Sequence, residues 1–183
     1  MKKTILFLSL LTLLPAAFFP CGAFAEQTVF FGPFEAENMR GEDAITEAIF
    51  AESEITIVNL WTTWCPSCIT ELPDLAGLSE ATDGRAQVLG VLLDGITLNN
   101  QKELTRDQFA LDTMHALLDN CGAMFAVVLP EDPFLLGLAS ITSTIPTSFI
   151  VGSDGEILGR VVGGRSAQQW IEIIEKAREG NGK

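Results

Sequence analysis

The sequence predicts an α/β domain, a mixed central sheet with helices on both faces, and three observations carry that reading. Residues 55–61 (ITIVNLW) and 88–93 (VLGVLL) are short, uncharged and rich in β-branched side chains, which suits strands buried on both faces. Between them Ile69, Leu72, Leu75, Ala76 and Leu78 recur at spacings of three and four, the apolar stripe of a helix. Two strands separated by such a helix are expected to run parallel, joined by a right-handed crossover. Farther on, residues 148–151 and 156–162 flank Ser153-Asp154-Gly155 as a hairpin, and Trp170, Ile171, Ile173 and Ile174 mark a closing amphipathic helix that Ser166 can cap.

Residues 1–25 read as a secretory leader: Lys2 and Lys3, an apolar run over 5–14, and Ala23-Phe24-Ala25 as a small-x-small cleavage site. The apolar core is too short to span a membrane comfortably. A lipid anchor on Cys21 is the rival reading, weakened by Phe18-Phe19-Pro20 where small residues are the rule; an uncleaved N-terminal anchor is a third. Cleavage leaves residues 26–183 as one domain, expected in the periplasm or another extracytoplasmic space, where an unassisted dithiol tends to be oxidised. With Lys2 and Lys3 removed, nine basic residues stand against 24 acidic ones, a balance of −15. Such a surface repels nucleic acid and anionic lipid.

The remaining elements follow from local pattern. Residues 26–40 carry Val29, Phe30, Phe31 and Phe34 around Gly32 and Pro33, an edge strand or loose hairpin laid against the core. Residues 42–50, with Ala44, Ile45, Ala48 and Ile49 on one side, predict a short helix. The helix after the central strand is expected to reach Thr82, before the Asp83-Gly84 turn. Residues 100–120 predict another helix, with Cys121-Gly122 at its end. A third strand is expected over 125–129 and a short helical connection over 130–139. No repeat or interdomain linker is visible.

The chemistry sits where the first strand meets its helix, at Cys65-Pro66-Ser67-Cys68. Thiolate is the nucleophile of disulfide exchange, and the N–H groups of a helix N-terminus stabilise negative charge, so Cys65 is expected to be the acidic, attacking sulfur. Pro66 suits the first turn because its nitrogen needs no partner there. Cys68 comes round one turn later, within disulfide reach, as the more buried resolving thiol. A C-x-x-C pair can also be half of a zinc site. The other half is missing, since only Cys121 and His115 remain in the mature chain and both lie on one short segment. No metal and no cofactor are expected.

With these residues in place the chain resembles the thioredoxin superfamily, and within it the TlpA/ResA/CcmG-like extracytoplasmic thiol-disulfide oxidoreductases. The resemblance rests on residues 61–68 (WTTWCPSC), on Glu71-Leu72-Pro73, on Ile145-Pro146-Thr147 and on Val162-Gly163, and it covers roughly residues 42–178. It implies a thioredoxin-like fold with a helical insertion between the βαβ half and the C-terminal ββα half. It further implies that Pro146 is a cis proline beside the disulfide, with Ile145 free to pair with a substrate's extended chain. Asn59 stands where thioredoxin has a buried acid, and in this branch the acid function passes to Glu71, one helical turn beyond Cys68. Trp64 is expected to cover the disulfide and offer partners a flat apolar contact, with Pro66 and Ser67 beside it, while Trp61 belongs to the core. Cys121 is read as an inert thiol in preference to a third redox thiol, and no role is assigned to His115.

The implied activity is reduction or exchange of disulfides in secreted or cytochrome-maturation proteins, by a monomer that draws electrons from a membrane partner such as a thiol-disulfide interchange protein. Two alternatives stand beside it. Thr62-x-x-Cys65 suggests a thiol peroxidase, although Val58 occupies the place of the upstream proline in the peroxiredoxin pattern. The other is a non-catalytic binding module with a structural disulfide.

Overall fold

The computed structural model describes residues 29–181, so the leader over residues 1–25, with Cys21, lies outside the described residues. Two short strands, β1 (Glu35–Ala36) and β2 (Ile45–Thr46), pair antiparallel ahead of the central strand β3 (Ile55–Trp61). Helices α1 (Pro66–Ala76) and α2 (Leu78–Ala81) lead to β4 (Ala86–Leu92). A hairpin of β5 (Ile96–Leu98) and β6 (Leu104–Arg106) comes next, then α3 (Gln108–Cys121) and β7 (Ala126–Val128). The chain closes with α4 (Pro133–Ile141), β8 (Thr147–Gly152), β9 (Ile157–Val162) and α5 (Ala167–Asn181).

The main sheet has the order β7-β4-β3-β8-β9, with β3 parallel to β4 and antiparallel to β8. Every residue of β3 is buried, as its uncharged sequence requires. The two-residue period of a strand then sorts its side chains. Val58 and Leu60 pack with Phe31, Phe34, Phe50 and Leu135 on one face, where Phe31 meets Phe50 and Phe134 edge-on at 5.0 and 4.9 Å between centroids. Ile55, Ile57 and Trp61 face the other layer, built from α1, α3 and α5 through Leu72, Leu75, Met114 and Trp170. Asn59 shares that second face, which places a polar side chain directly under α1.

Four expectations are corrected. The helix over 42–50 starts later and is tighter: Ile45 and Thr46 pair with β1, and a 3-10 helix occupies Glu47–Glu52 with Thr46 as its cap. The helix after β3 is two pieces instead of one: α2 ends at Ala81 with Thr82 as its cap, near the expected end, but Gly77 separates it from α1. The helix over 100–120 begins only at Gln108, capped by Asp107, because Ile96–Leu98 and Leu104–Arg106 pair as a hairpin. The insertion is accordingly more than helical: it holds that hairpin and β7, an edge strand of the main sheet. At the C-terminal end Ser166 caps as its type suggests, its Oγ accepting from Gln169 N at 3.4 Å while its own N–H donates to Gln169 Oε1 at 3.0 Å.

Helix α3 ends at Gly122 in the left-handed conformation, φ 69°, where Ala123 N–H returns to Leu118 O at 2.9 Å. An added Cβ there meets no atom within 4 Å, so only backbone strain opposes it. Gly122→Ala is expected to cost about 1 kcal/mol in urea denaturation with no change in far-ultraviolet dichroism.

Candidate active site

After Trp61 the chain turns through Thr62-Thr63-Trp64 and enters α1 at Pro66. Cys65 is the N-cap residue of α1, in an extended conformation, and its Sγ accepts the Cys68 backbone N–H at 3.2 Å. Ser67 Oγ lies 3.3 Å from the same sulfur. Pro66 occupies the first turn, where the missing N–H costs nothing. Cys65 and Cys68 are joined as a disulfide across a Cα separation of 5.3 Å.

Both cysteines are buried, Cys65 at 4% and Cys68 at 2% exposure, so the expected deeper burial of Cys68 is only a slight difference in the disulfide form. The reason is packing: both belong to a cluster with Trp61, Leu72 and Leu92, against which Ile145 also rests. What distinguishes Cys65 is its hydrogen bonding, because the helix N–H and the Ser67 hydroxyl both address its sulfur. Around this buried pair Trp64 stands out at 68% exposure, with Pro66 and Ser67 also exposed. Such an indole is an open apolar face beside the reactive bond.

The loop carrying Trp64 is held from the neighbouring strand. Asp94, just past β4, accepts the Thr63 backbone N–H at 3.0 Å and its hydroxyl at 2.6 Å. On the other side of the sulfurs the Ile145–Pro146 peptide is cis, and Pro146 O accepts Gly163 N–H at 2.8 Å. Ile145 itself is half-buried.

Glu71 lies on α1 one turn past Cys68 and is 3% exposed. Its Oε1 accepts the Arg165 backbone N–H at 2.8 Å and the Trp170 indole N–H at 3.0 Å; its Oε2 has Asn59 Nδ2 at 3.5 Å. Asn59 in turn donates to Ser148 Oγ at 2.9 Å. Burial pushes the Glu71 carboxyl above its ordinary pKa, opposed by the donors from Arg165, Trp170 and Asn59 and by the Arg165 charge. A cleft of about 380 Å³ runs past Ser67, Glu71, Asp74 and Arg165, linking this region to solvent. A larger cavity of about 640 Å³, between β9 and α5, is lined by none of the disulfide residues.

Cys121, a free thiol at the end of α3, bonds Leu118 O at 3.4 Å, and His115 Nδ1 lies 3.3 Å from Arg40 Nη1. Three contributors were not legible as site residues. Asp94 looks like a turn residue after an apolar run, Trp170 like one member of an apolar stripe, and Arg165 acts through its backbone, which no side-chain pattern reveals.

The model of the AhpC/TSA family matches residues 31–159. Among curated proteins the chain is 28% identical over 178 residues to sporulation thiol-disulfide oxidoreductase A of Bacillus subtilis, covering 96% of this chain and 99% of that one. It is 29% identical over 175 residues to the thiol:disulfide interchange protein HelX of Rhodobacter capsulatus, covering 89% of each. Among solved structures a thioredoxin family thiol:disulfide interchange protein from Chlorobium tepidum superposes with a TM-score of 0.64 at 23% identity, over 83% of this chain and 97% of that chain. StoA from Bacillus subtilis gives 0.57 at 25% identity, over 78% and 96%. The fold is thus thioredoxin-like, and the chain belongs to the AhpC/TSA family as a thioredoxin-superfamily thiol-disulfide oxidoreductase.

Proposed function

We propose that the protein reduces or exchanges disulfides of exported proteins, cytochrome-maturation proteins among them, by an attack from Cys65 and a resolution by Cys68 with Glu71 as proton acceptor. The observation that carries this reading is the N-cap position of Cys65. A thiolate there gains the Cys68 N–H and the positive end of α1, which lowers its proton affinity and makes it the better nucleophile and leaving group.

In the reduced protein the Cys65 thiolate attacks one sulfur of a substrate disulfide, forming a mixed disulfide and expelling the other substrate sulfur as thiolate. The Cys68 thiol passes its proton to the Glu71 carboxylate and attacks Cys65 Sγ. The second substrate sulfur then leaves and takes up a proton. Two electrons have moved to the substrate, and the protein is left with the Cys65–Cys68 disulfide described above. Renewal of the dithiol calls for an electron donor, which we assign to a membrane thiol-disulfide interchange partner. Trp64, Pro66 and Ser67 form the open rim on one side, and Ile145 beside Pro146 offers backbone for strand-like pairing with the substrate on the other. The leader-bearing sequence supports an extracytoplasmic domain over residues 26–183. Among the described residues no helix is long and apolar enough to cross a membrane. Peroxide chemistry is less supported, because Thr62 Oγ1 is buried without a hydrogen-bond partner among the described residues and so does not address the Cys65 sulfur.

Cys68→Ser removes the resolving thiol and should accumulate mixed disulfides at Cys65, recovered by non-reducing electrophoresis and identified by mass. Cys65→Ser should recover none. Absence of adducts with Cys68→Ser, under conditions where the wild type reduces insulin, would exclude the assigned order of attack.

The raised Glu71 pKa also sets a sign for stability. Folding favours the protonated carboxyl, so this group's contribution is greatest below its unfolded pKa and is lost as pH rises through the higher folded value. Glu71→Gln carries no such charge. Its denaturation midpoint relative to wild type should therefore rise as pH is raised from below the ordinary carboxylate value through the higher folded one.

A further inference from the structure

We propose that the Trp170 indole N–H and the Arg165 backbone N–H, converging on one oxygen of Glu71, are positioning groups that reserve the other oxygen, Oε2, as the atom that takes and returns the thiol proton. The inference rests on the reading of Glu71 as proton acceptor and adds which atom acts and what fixes it. Both donors address Oε1, at 3.0 and 2.8 Å, and so occupy its two lone pairs. A proton placed on Oε1 would oppose two donor hydrogens. Among the described residues Oε2 has only Asn59 Nδ2, at the 3.5 Å limit of a hydrogen bond, and is the oxygen left open.

A second observation shows that the arrangement is built. The turn from β9 into α5 lies against α1 at Gly164, where an added Cβ would sit 3.2 Å from Ser67 O and 3.9 Å from Glu71 Cδ. Glycine lets this turn approach closely enough for the next amide to reach the carboxylate. The same turn bonds Pro146 O through Gly163 N–H. A buried indole N–H needs only some acceptor, and a neutral one would satisfy Trp170 with less desolvation. The Arg165 amide, which precedes α5 and likewise needs an acceptor, takes the same oxygen, so both close donors fall on Oε1 and neither on Oε2.

The charged and titratable groups around Glu71 are few. The Arg165 guanidinium folds back onto Gly163 O and Gly164 O at 3.1 and 2.9 Å, Asp74 shares the cleft from α1, and the dithiol lies one turn away. Asn59 of β3, Ser148 of β8 and Trp170 of α5 bring no charge. Removing one N–H from Oε1 destabilises the ionised carboxylate and raises its proton affinity. The Cys68 step, which needs that carboxylate ionised, then moves to higher pH.

Ellman's reagent isolates the step. Cys65 of the reduced protein takes up one thionitrobenzoate group, and the second release of thionitrobenzoate reports the attack by Cys68. Its rate is measured against pH in wild type, Trp170→Phe, Glu71→Gln and a protein carrying 3-benzothienylalanine at position 170, which keeps the ring shape and lacks the N–H. The last replaces Trp170→Phe should that variant fail to fold. The ascending limb should shift upward by about one pH unit in both position-170 proteins with an unchanged plateau, and should disappear in Glu71→Gln. If the benzothienyl protein superimposes on wild type while Glu71→Gln loses the limb, the positioning role falls and the acceptor role stands. An unaltered Glu71→Gln profile overturns both.

Discussion

The site depends on one hydrogen bond, from the Cys68 backbone N–H to Cys65 Sγ across the first turn of α1. It puts the Cys65 sulfur at the positive end of the helix, and it exists because β3 delivers the chain to that point in an extended conformation. Everything upstream serves the placement. The sheet holds β3 between β4 and β8, so the strand's end cannot shift without breaking two ladders. Downstream, Pro66 starts the helix at no hydrogen-bonding cost and Gly77 ends it.

Against that favourable setting for negative charge stands an unfavourable one a single turn away. Glu71 is buried deeply enough to resist ionisation, and the donors from Arg165, Trp170 and Asn59 resist the resistance. The donors temper the upward push of burial without reversing it. One helix thus carries a sulfur met by a backbone N–H at its start and a reluctant carboxyl farther on.

Much of this was legible in the sequence where side-chain chemistry and period coincide. The uncharged run over 55–61, the Pro-containing CPSC turn, the Gly-punctuated hairpin of 148–151 and 156–162 and the apolar stripe of the last helix are all local signals that tertiary packing reinforces. Residues 42–50 and 100–107 misled because helical spacing over so few residues is cheap to imitate. Ile45 and Leu104 instead found strand partners in Ala36 and Leu98. The disulfide's burial was hidden for another reason: Trp61, Leu92 and Ile145 come from three separate strands or loops and enclose the sulfurs only once the sheet has formed. The Arg165 amide and the Asp94 latch belong to the same class of contact, fixed by topology instead of local pattern.

The hairpin of β5 and β6 is closed at its base, where Asp107 N–H donates to Gly95 O at 2.9 Å, next to the residue that grips Thr63. Its tip, turning between Leu98 and Leu104, is tied instead to its own strands. An arm stapled at the root is a cassette: its outer residues can be lengthened, shortened or rewritten while the geometry beneath stays put. Within this architecture, then, recognition can diversify at the periphery without disturbing the chemistry that every version would share.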